Sequence, residues 1–167
     1  MADYKLLVPK ILRWEGGFSD NPYDAGGATM RGVTLATFRQ FYGANMTVAD
    51  LKAITDKQWR HIFKKGYWDK VRADEFVNQS IAELFVDWVW MSGATTPVKT
   101  LQRLVGAQQD GLLGPKTLAM VNAYEPARLY GALKAARYAF YDEIVAKRPA
   151  NRVFLKGWHN RLESYVY

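Results

Sequence analysis

A mainly α fold is predicted by three features of the chain. Apolar residues recur at three- and four-residue spacing along most of its length, glycine and proline cut these stretches into helix-sized pieces, and Thr residues stand where helices would be capped. With 167 residues and 49% hydrophobic content, the chain can bury one substantial core, or two small lobes that share one.

Taken in order, Tyr4, Leu7, Val8, Ile11, Leu12 and Trp14 form one buried face of a first amphipathic helix. Gly16 and Gly17 stop it, with a left-handed glycine expected just past the last turn. Turn signals at Asn21-Pro22 and Gly26-Gly27 then predict a glycine-rich folded-back loop or short hairpin. Leu35 to Phe41 reads as a short helix with Thr34 as N-cap and Gly43 as its stop. Thr47 and Asp50 have capping-box spacing ahead of Leu51 and Ile54, and Thr55 or Asp56 starts a helix through Trp59, Ile62 and Phe63. Tyr67 and Trp68 follow Gly66 in an expected loop.

Phe76 to Met91 is the strongest apolar helical pattern in the middle of the chain, with Ile81, Leu84, Phe85, Trp88 and Val89 at core spacing. Gly93 breaks it. Val98, Leu101, Leu104 and Val105 mark the next helix, followed by turns at Asp110-Gly111 and Gly114-Pro115, where Pro115 suits the first position of a helix carrying Leu118, Met120 and Val121. Pro126 opens a long helix through Leu129, Leu133, Ala136, Phe140 and Ile144 that Pro149 ends. Val153 to Tyr165 is expected as a last helix interrupted by Gly157. No linker separates freely moving domains, so a functional boundary between 1–93 and 94–167 is expected within one globular unit.

Composition narrows the chemistry. The chain has no cysteine, which excludes a disulfide framework and a thiol nucleophile, and its two histidines, His61 and His159, lie far apart. No metal site and no cofactor are expected. The net charge of +7 favours polyanionic partners: nucleic acid, an acidic membrane surface, or an acidic cell wall. Lys134, Arg137, Lys147, Arg148, Arg152, Lys156 and Arg161 concentrate positive charge in the last third, mostly as solvated surface. No stretch is long and apolar enough to span a bilayer, and MADYKLLVPKILRW lacks the layout of a secretory signal. The expectation is a protein made in the cytoplasm without a signal peptide.

The stretch WEGGFSDNPYDAGGATMRGVT, Trp14 to Thr34, carries the candidate chemistry. Glu15 falls in the last turn of the first helix, at the negative end of its dipole. There, shielding by Trp14 or Phe18 would favour the protonated form that a general acid needs. Asp24 follows after eight intervening residues, and a folded-back loop allows the two carboxyl groups and Thr29 to face one another. Two carboxyl groups in unlike environments suit glycosidic bond hydrolysis: one protonates the leaving oxygen, the other activates water, acts as nucleophile or stabilises positive charge on the sugar. A calcium loop from Asp20 fails, because Pro22 takes the third position and Arg31 the twelfth, where a bidentate Glu is needed. Tyr67 and Trp68 either stack on sugar rings or belong to the core. Asp87, the polar exception within its apolar helix, is either an anchored structural group or part of the cleft.

The segment EGGFSDNPYDAGGAT followed by GVT closely resembles the signature of the bacterial and phage N-acetylmuramidases of glycoside hydrolase family 108. YWDKV at Tyr67 to Val71, FVDWVWMSG at Phe85 to Gly93, and LQRLVGAQQDGLLGPKT at Leu101 to Thr117 look like its other landmarks, so the likeness spans nearly the whole chain. It implies a lysozyme-like helical fold with the active-site loop after the first helix. It also implies Glu15 as the catalytic acid, with Asp24 and Thr29 completing a set similar to that of phage-type lysozymes. Here only four residues separate Asp24 and Thr29, where that pattern has five, and Met30-Arg31 departs from an expected Asn.

The resemblance further implies Asp87 as a family position and a β-1,4 cut after N-acetylmuramic acid in peptidoglycan. Whether the anomeric configuration is retained or inverted depends on the carboxyl separation. LQRLVG and DGLLGPKT are similar to a small helical peptidoglycan-binding module, which makes peptidoglycan the expected partner. A phage or prophage endolysin released through a holin, acting on the wall after release, is the corresponding expectation. The rival from another class is a non-catalytic helical protein that binds cell wall or nucleic acid through the basic last third; no specific nucleic acid is expected as a partner.

Overall fold

A computed structural model describes residues 1–21 and 26–167. Among the described residues there are nine α-helices and three two-residue strands: α1 (Tyr4–Trp14), β1 (Phe18–Ser19), β2 (Thr29–Met30), β3 (Val33–Thr34), α2 (Leu35–Tyr42), α3 (Val48–Lys52), α4 (Asp56–Phe63), α5 (Gln79–Ser92), α6 (Thr95–Val105), α7 (Pro115–Ala123), α8 (Pro126–Lys147) and α9 (Arg152–Glu163). None of these helices is long and apolar enough to cross a membrane. The chain falls into two compact units, Lys5–Gly66 and a larger one made of Met1–Tyr4 and Tyr67–Tyr167. This division by compactness differs from the functional boundary expected at 93/94, because α5 packs against α6 and α8.

In the Lys5–Gly66 unit, α1 buries Leu7, Val8 and Ile11, as its spacing predicts. The helix stops without a left-handed glycine: neither Gly16 nor Gly17 has positive φ, since the chain leaves the helix directly into the extended β1. The strands form one antiparallel sheet in the order β1-β2-β3, with Phe18 opposite Met30, Ser19 opposite Thr29, and Thr29 opposite Thr34. A third strand was not foreseen. It is made by a two-residue turn in which Arg31 (φ 51°) and Gly32 (φ 80°) are both left-handed, the pattern of a hairpin turn whose twist matches its strands. The Trp59 indole N–H donates to the Arg31 carbonyl at 2.9 Å and the Arg31 guanidinium meets Asp56 at 2.7 Å, so α4 holds the turn from both sides.

The helix starts of this unit follow their local signals. The Thr34 hydroxyl accepts the Thr37 N–H, and reciprocal capping boxes join Thr47 to Asp50 and Thr55 to Gln58. Phe38, Leu51, Trp59, Ile62 and Phe63 fill the interior, with Trp59 and Phe63 stacked at 5.4 Å between ring centroids.

A π-helical turn, Lys64–Trp68, runs across the division at Gly66, and 3-10 turns at Asp69–Val71 and Ala73–Glu75 follow it in the larger unit, where a loop was expected. The central helix begins three residues later than the apolar pattern suggests, because the Asn78 side chain caps it by accepting the Ile81 N–H. Its residues 81 to 89 are all buried. α6 also packs on α7 and α8, and α8 on α9. Pro115 and Pro126 take the first positions of α7 and α8. The turn between α6 and α7 is organised by buried Gln102, which donates to Asp110 at 2.7 Å and accepts the Gly111 N–H at 3.0 Å. Contrary to expectation, α9 runs unbroken through Gly157, because Arg161 and Leu162 beyond it are buried and tie that part of the helix down.

Candidate active site

Glu15 directly follows α1, and its N–H still donates to the Ile11 carbonyl at 3.2 Å, so the residue completes the last helical turn. It is half-buried, as is Trp14 beside it. After Gly16 and Gly17, Phe18 and Ser19 enter the sheet, and Thr29 lies on the strand paired directly with them. The Lys52 ammonium sits 4.3 Å from the centroid of the exposed Phe18 ring and holds that ring against α3. The structure thus pairs the strand bearing Thr29 with β1, which starts two glycines after the helix end bearing Glu15. Asp24 lies outside the described residues.

The remaining sequence-derived candidates belong to the larger unit. Tyr67 is half-buried and packs at 4.6 Å between centroids on Trp90, also half-buried. Sequence reasoning missed Trp90. The signal was present: at 100° per residue, Trp90 is 200° from the core position Trp88 and therefore on the opposite side of α5. Trp68 is a correction. It has 0% exposure, and its indole N–H donates to Asp74 at 2.6 Å, so it is a core residue whose polar atom is already satisfied and whose ring offers no face to a sugar.

Asp87 is a second correction. Its side chain is fully enclosed by Arg137, which donates to Oδ2 at 2.6 Å, and by Arg161, which donates from Nη2 and Nε to Oδ1 at 2.6 and 3.0 Å. Burial by itself would push this carboxyl up; the charges of Arg137 and Arg161 and their hydrogen bonds overcome that and hold it below the ordinary carboxylate value. Arg137 in turn donates Nε–H to the Tyr141 hydroxyl at 2.8 Å. Two of the basic residues assigned to the solvated last third are therefore interior counter-ions, and Asp87 clamps α5 to α8 and α9 with no oxygen left facing solvent.

The glycosyl hydrolase 108 family matches residues 8–93, and a family described as a predicted peptidoglycan domain matches residues 96–163. Among solved structures the chain is similar to SagA of Brucella abortus, with 34% sequence identity and a TM-score of 0.83, over 97% of this chain and 90% of that one. No curated protein sequence matches. The architecture is the mainly α, lysozyme-like one expected, with its small sheet placed after the first helix. Matched over half its length by the first of these families, the chain belongs to glycosyl hydrolase family 108 and is a glycoside hydrolase that acts on peptidoglycan.

Proposed function

We propose that the chain is an N-acetylmuramidase that cuts the β-1,4 bond between N-acetylmuramic acid and N-acetylglucosamine, with Glu15 as general acid. The observation that carries this reading is the half-buried residue Glu15 at the end of α1, two glycines ahead of β1 and inside the matched glycosidase region. Glu15 donates its proton to the glycosidic oxygen as the bond lengthens. Asp24 acts on the attacking water or on the positive charge that develops on the sugar ring. Thr29 and Tyr67, with Trp90 beside Tyr67, are assigned to substrate contact. Mass spectrometry of digested peptidoglycan tests the reading. Fragments ending in reducing N-acetylmuramic acid are expected; fragments ending in reducing N-acetylglucosamine would overturn the bond assignment.

Asp24→Asn is expected to lower turnover strongly and leave pelleting with insoluble walls nearly unchanged, because a group acting on developing charge contributes in the transition state more than in the ground state. Normal turnover in that variant would reduce Asp24 to a loop-forming residue.

We assign the holding of the glycan strand to the α6–α7 region rather than the cutting. This is supported by the peptidoglycan family match over 96–163 and by a hollow of about 520 Å³ lined by residues that include Gln108, Asp110, Lys116, Thr117 and Met120. Replacing Gln108, Gln109 and Lys116 together is expected to weaken wall pelleting several-fold with some loss of rate, since remote binding also feeds turnover. Parental affinity and rate in the triple variant would make the turn a purely structural connection. Release to the wall through a holin, as in a phage or prophage endolysin, is the export route that fits this reading.

A further inference from the structure

The connection between α8 and α9 presents a surface that contains none of the residues assigned above to hydrolysis or glycan holding. From Ile144 to Leu162 the chain has no carboxylate, while it places Lys147, Arg148, Arg152 and Lys156 within ten residues. All four are exposed, and among the described residues none has an ion-pair partner. Between them stand two large apolar side chains in solvent, Val153 at 78% and Phe154 at 56% exposure. Arg152, Val153, Lys156 and Gly157 share the outward stripe of α9, whose opposite side buries Arg161 and Leu162.

This tip is held rigidly. The Phe154 ring stacks on Trp158 at 6.0 Å, Trp158 stacks on Tyr141 at 5.2 Å, and the Tyr141 hydroxyl accepts from Arg137 of the buried ion cluster. Asp142 lines a shallow hollow with Arg152, Val145, Pro149 and Leu155, yet no ion pair joins it to Arg152. The positive charge is therefore left for an external partner.

We propose that this tip docks on an anionic lipid surface, with Lys147, Arg148, Arg152 and Lys156 over the headgroups and Val153 and Phe154 inserted at the headgroup boundary. The four cations call for an anionic partner. The two exposed apolar side chains decide among such partners, because a soluble anionic polymer offers nothing to cover them, whereas the headgroup–acyl boundary does.

Flotation of the full chain with vesicles tests it. Binding is expected to vesicles of phosphatidylethanolamine and phosphatidylglycerol and not to vesicles of phosphatidylcholine alone. Each cation near an anionic leaflet contributes about a five-fold factor in partitioning, so Arg152→Gln with Lys156→Gln should weaken flotation about 25-fold. Val153→Ser with Phe154→Ser should weaken it about ten-fold or more, and Val153→Ser alone, which leaves the ring stack intact, should show part of that loss. Both double variants should digest purified peptidoglycan at the parental rate and keep the parental circular dichroism spectrum. Vesicle binding that no variant changes would overturn the proposal. So would absence of flotation by the parent, or a loss of wall pelleting in the charge variant with none in the apolar variant, which would make the surface a wall-polymer contact.

Discussion

Glu15→Gln is expected to lower peptidoglycan hydrolysis by about 10²–10⁴-fold, the range that a positioned general acid contributes. The substitution keeps the size and planar shape of the side chain and removes the proton donor. The residue is half-buried, lies outside the hydrophobic core, and takes its place in the last helical turn through its backbone N–H. The fold should therefore survive, with an unchanged circular dichroism spectrum and unchanged wall pelleting. Loss of rate with retained binding is the signature of a group that acts in the transition state. Near-native turnover in the folded variant would remove Glu15 from the mechanism and with it the proposed two-carboxylate chemistry.

The largest stability effect is expected at Asp87. Asp87→Asn leaves two interior guanidinium groups without a counter-charge, and removing one partner of a buried ionic group costs about 3–5 kcal/mol. For a chain of this length that lowers the melting temperature by about 6–20 °C. The effect should depend on pH in a defined direction. The folded carboxyl titrates below the ordinary carboxylate value, so its contribution is present above the unfolded value near pH 4 and is lost as pH falls through the folded one. The gap between parent and variant should be full at neutral pH and shrink below about pH 4. Thermal unfolding of both proteins across pH 2–7 measures it; a gap of less than 1 kcal/mol at neutral pH would show that the clamp contributes little.

Features that are local in the chain were legible from sequence, and features made by distant packing were not. Thr34, Thr47 and Thr55 announce their helices because a cap needs only the three residues that follow it. The end of α1 at the Glu15-Gly-Gly segment was legible for the same reason, but the left-handed glycine expected there is absent. Arg137 and Arg161 stand 50 and 74 residues from Asp87, and no spacing rule connects them, so their charge read as solvated surface. The sequence left Trp68 open between sugar platform and core, because the partner of its indole N–H lies in a 3-10 turn that no periodicity marks. Gly157 read as a break because glycine costs a helix about 1 kcal/mol, a cost that the buried Arg161 and Leu162 override. Asp24 lies outside the described residues, and the sequence spacing and family likeness remain the basis for its role.

The sheet beside Glu15 consists of strands only two residues long, too short to be stable by their own ladder. Its two ends are secured unequally. The Arg31-Gly32 turn is fastened to α4 through Asp56 and Trp59, whereas β1 is exposed and joined to α1 through two glycines. Local opening should therefore begin at β1 at a small fraction of the global unfolding free energy, while β3 stays closed. Amide hydrogen exchange would register this as a gradient, with Phe18 and Ser19 exchanging well before Val33. Such a gradient would let a bulky glycan strand displace the near edge of the hairpin while its far edge keeps Thr29 in register.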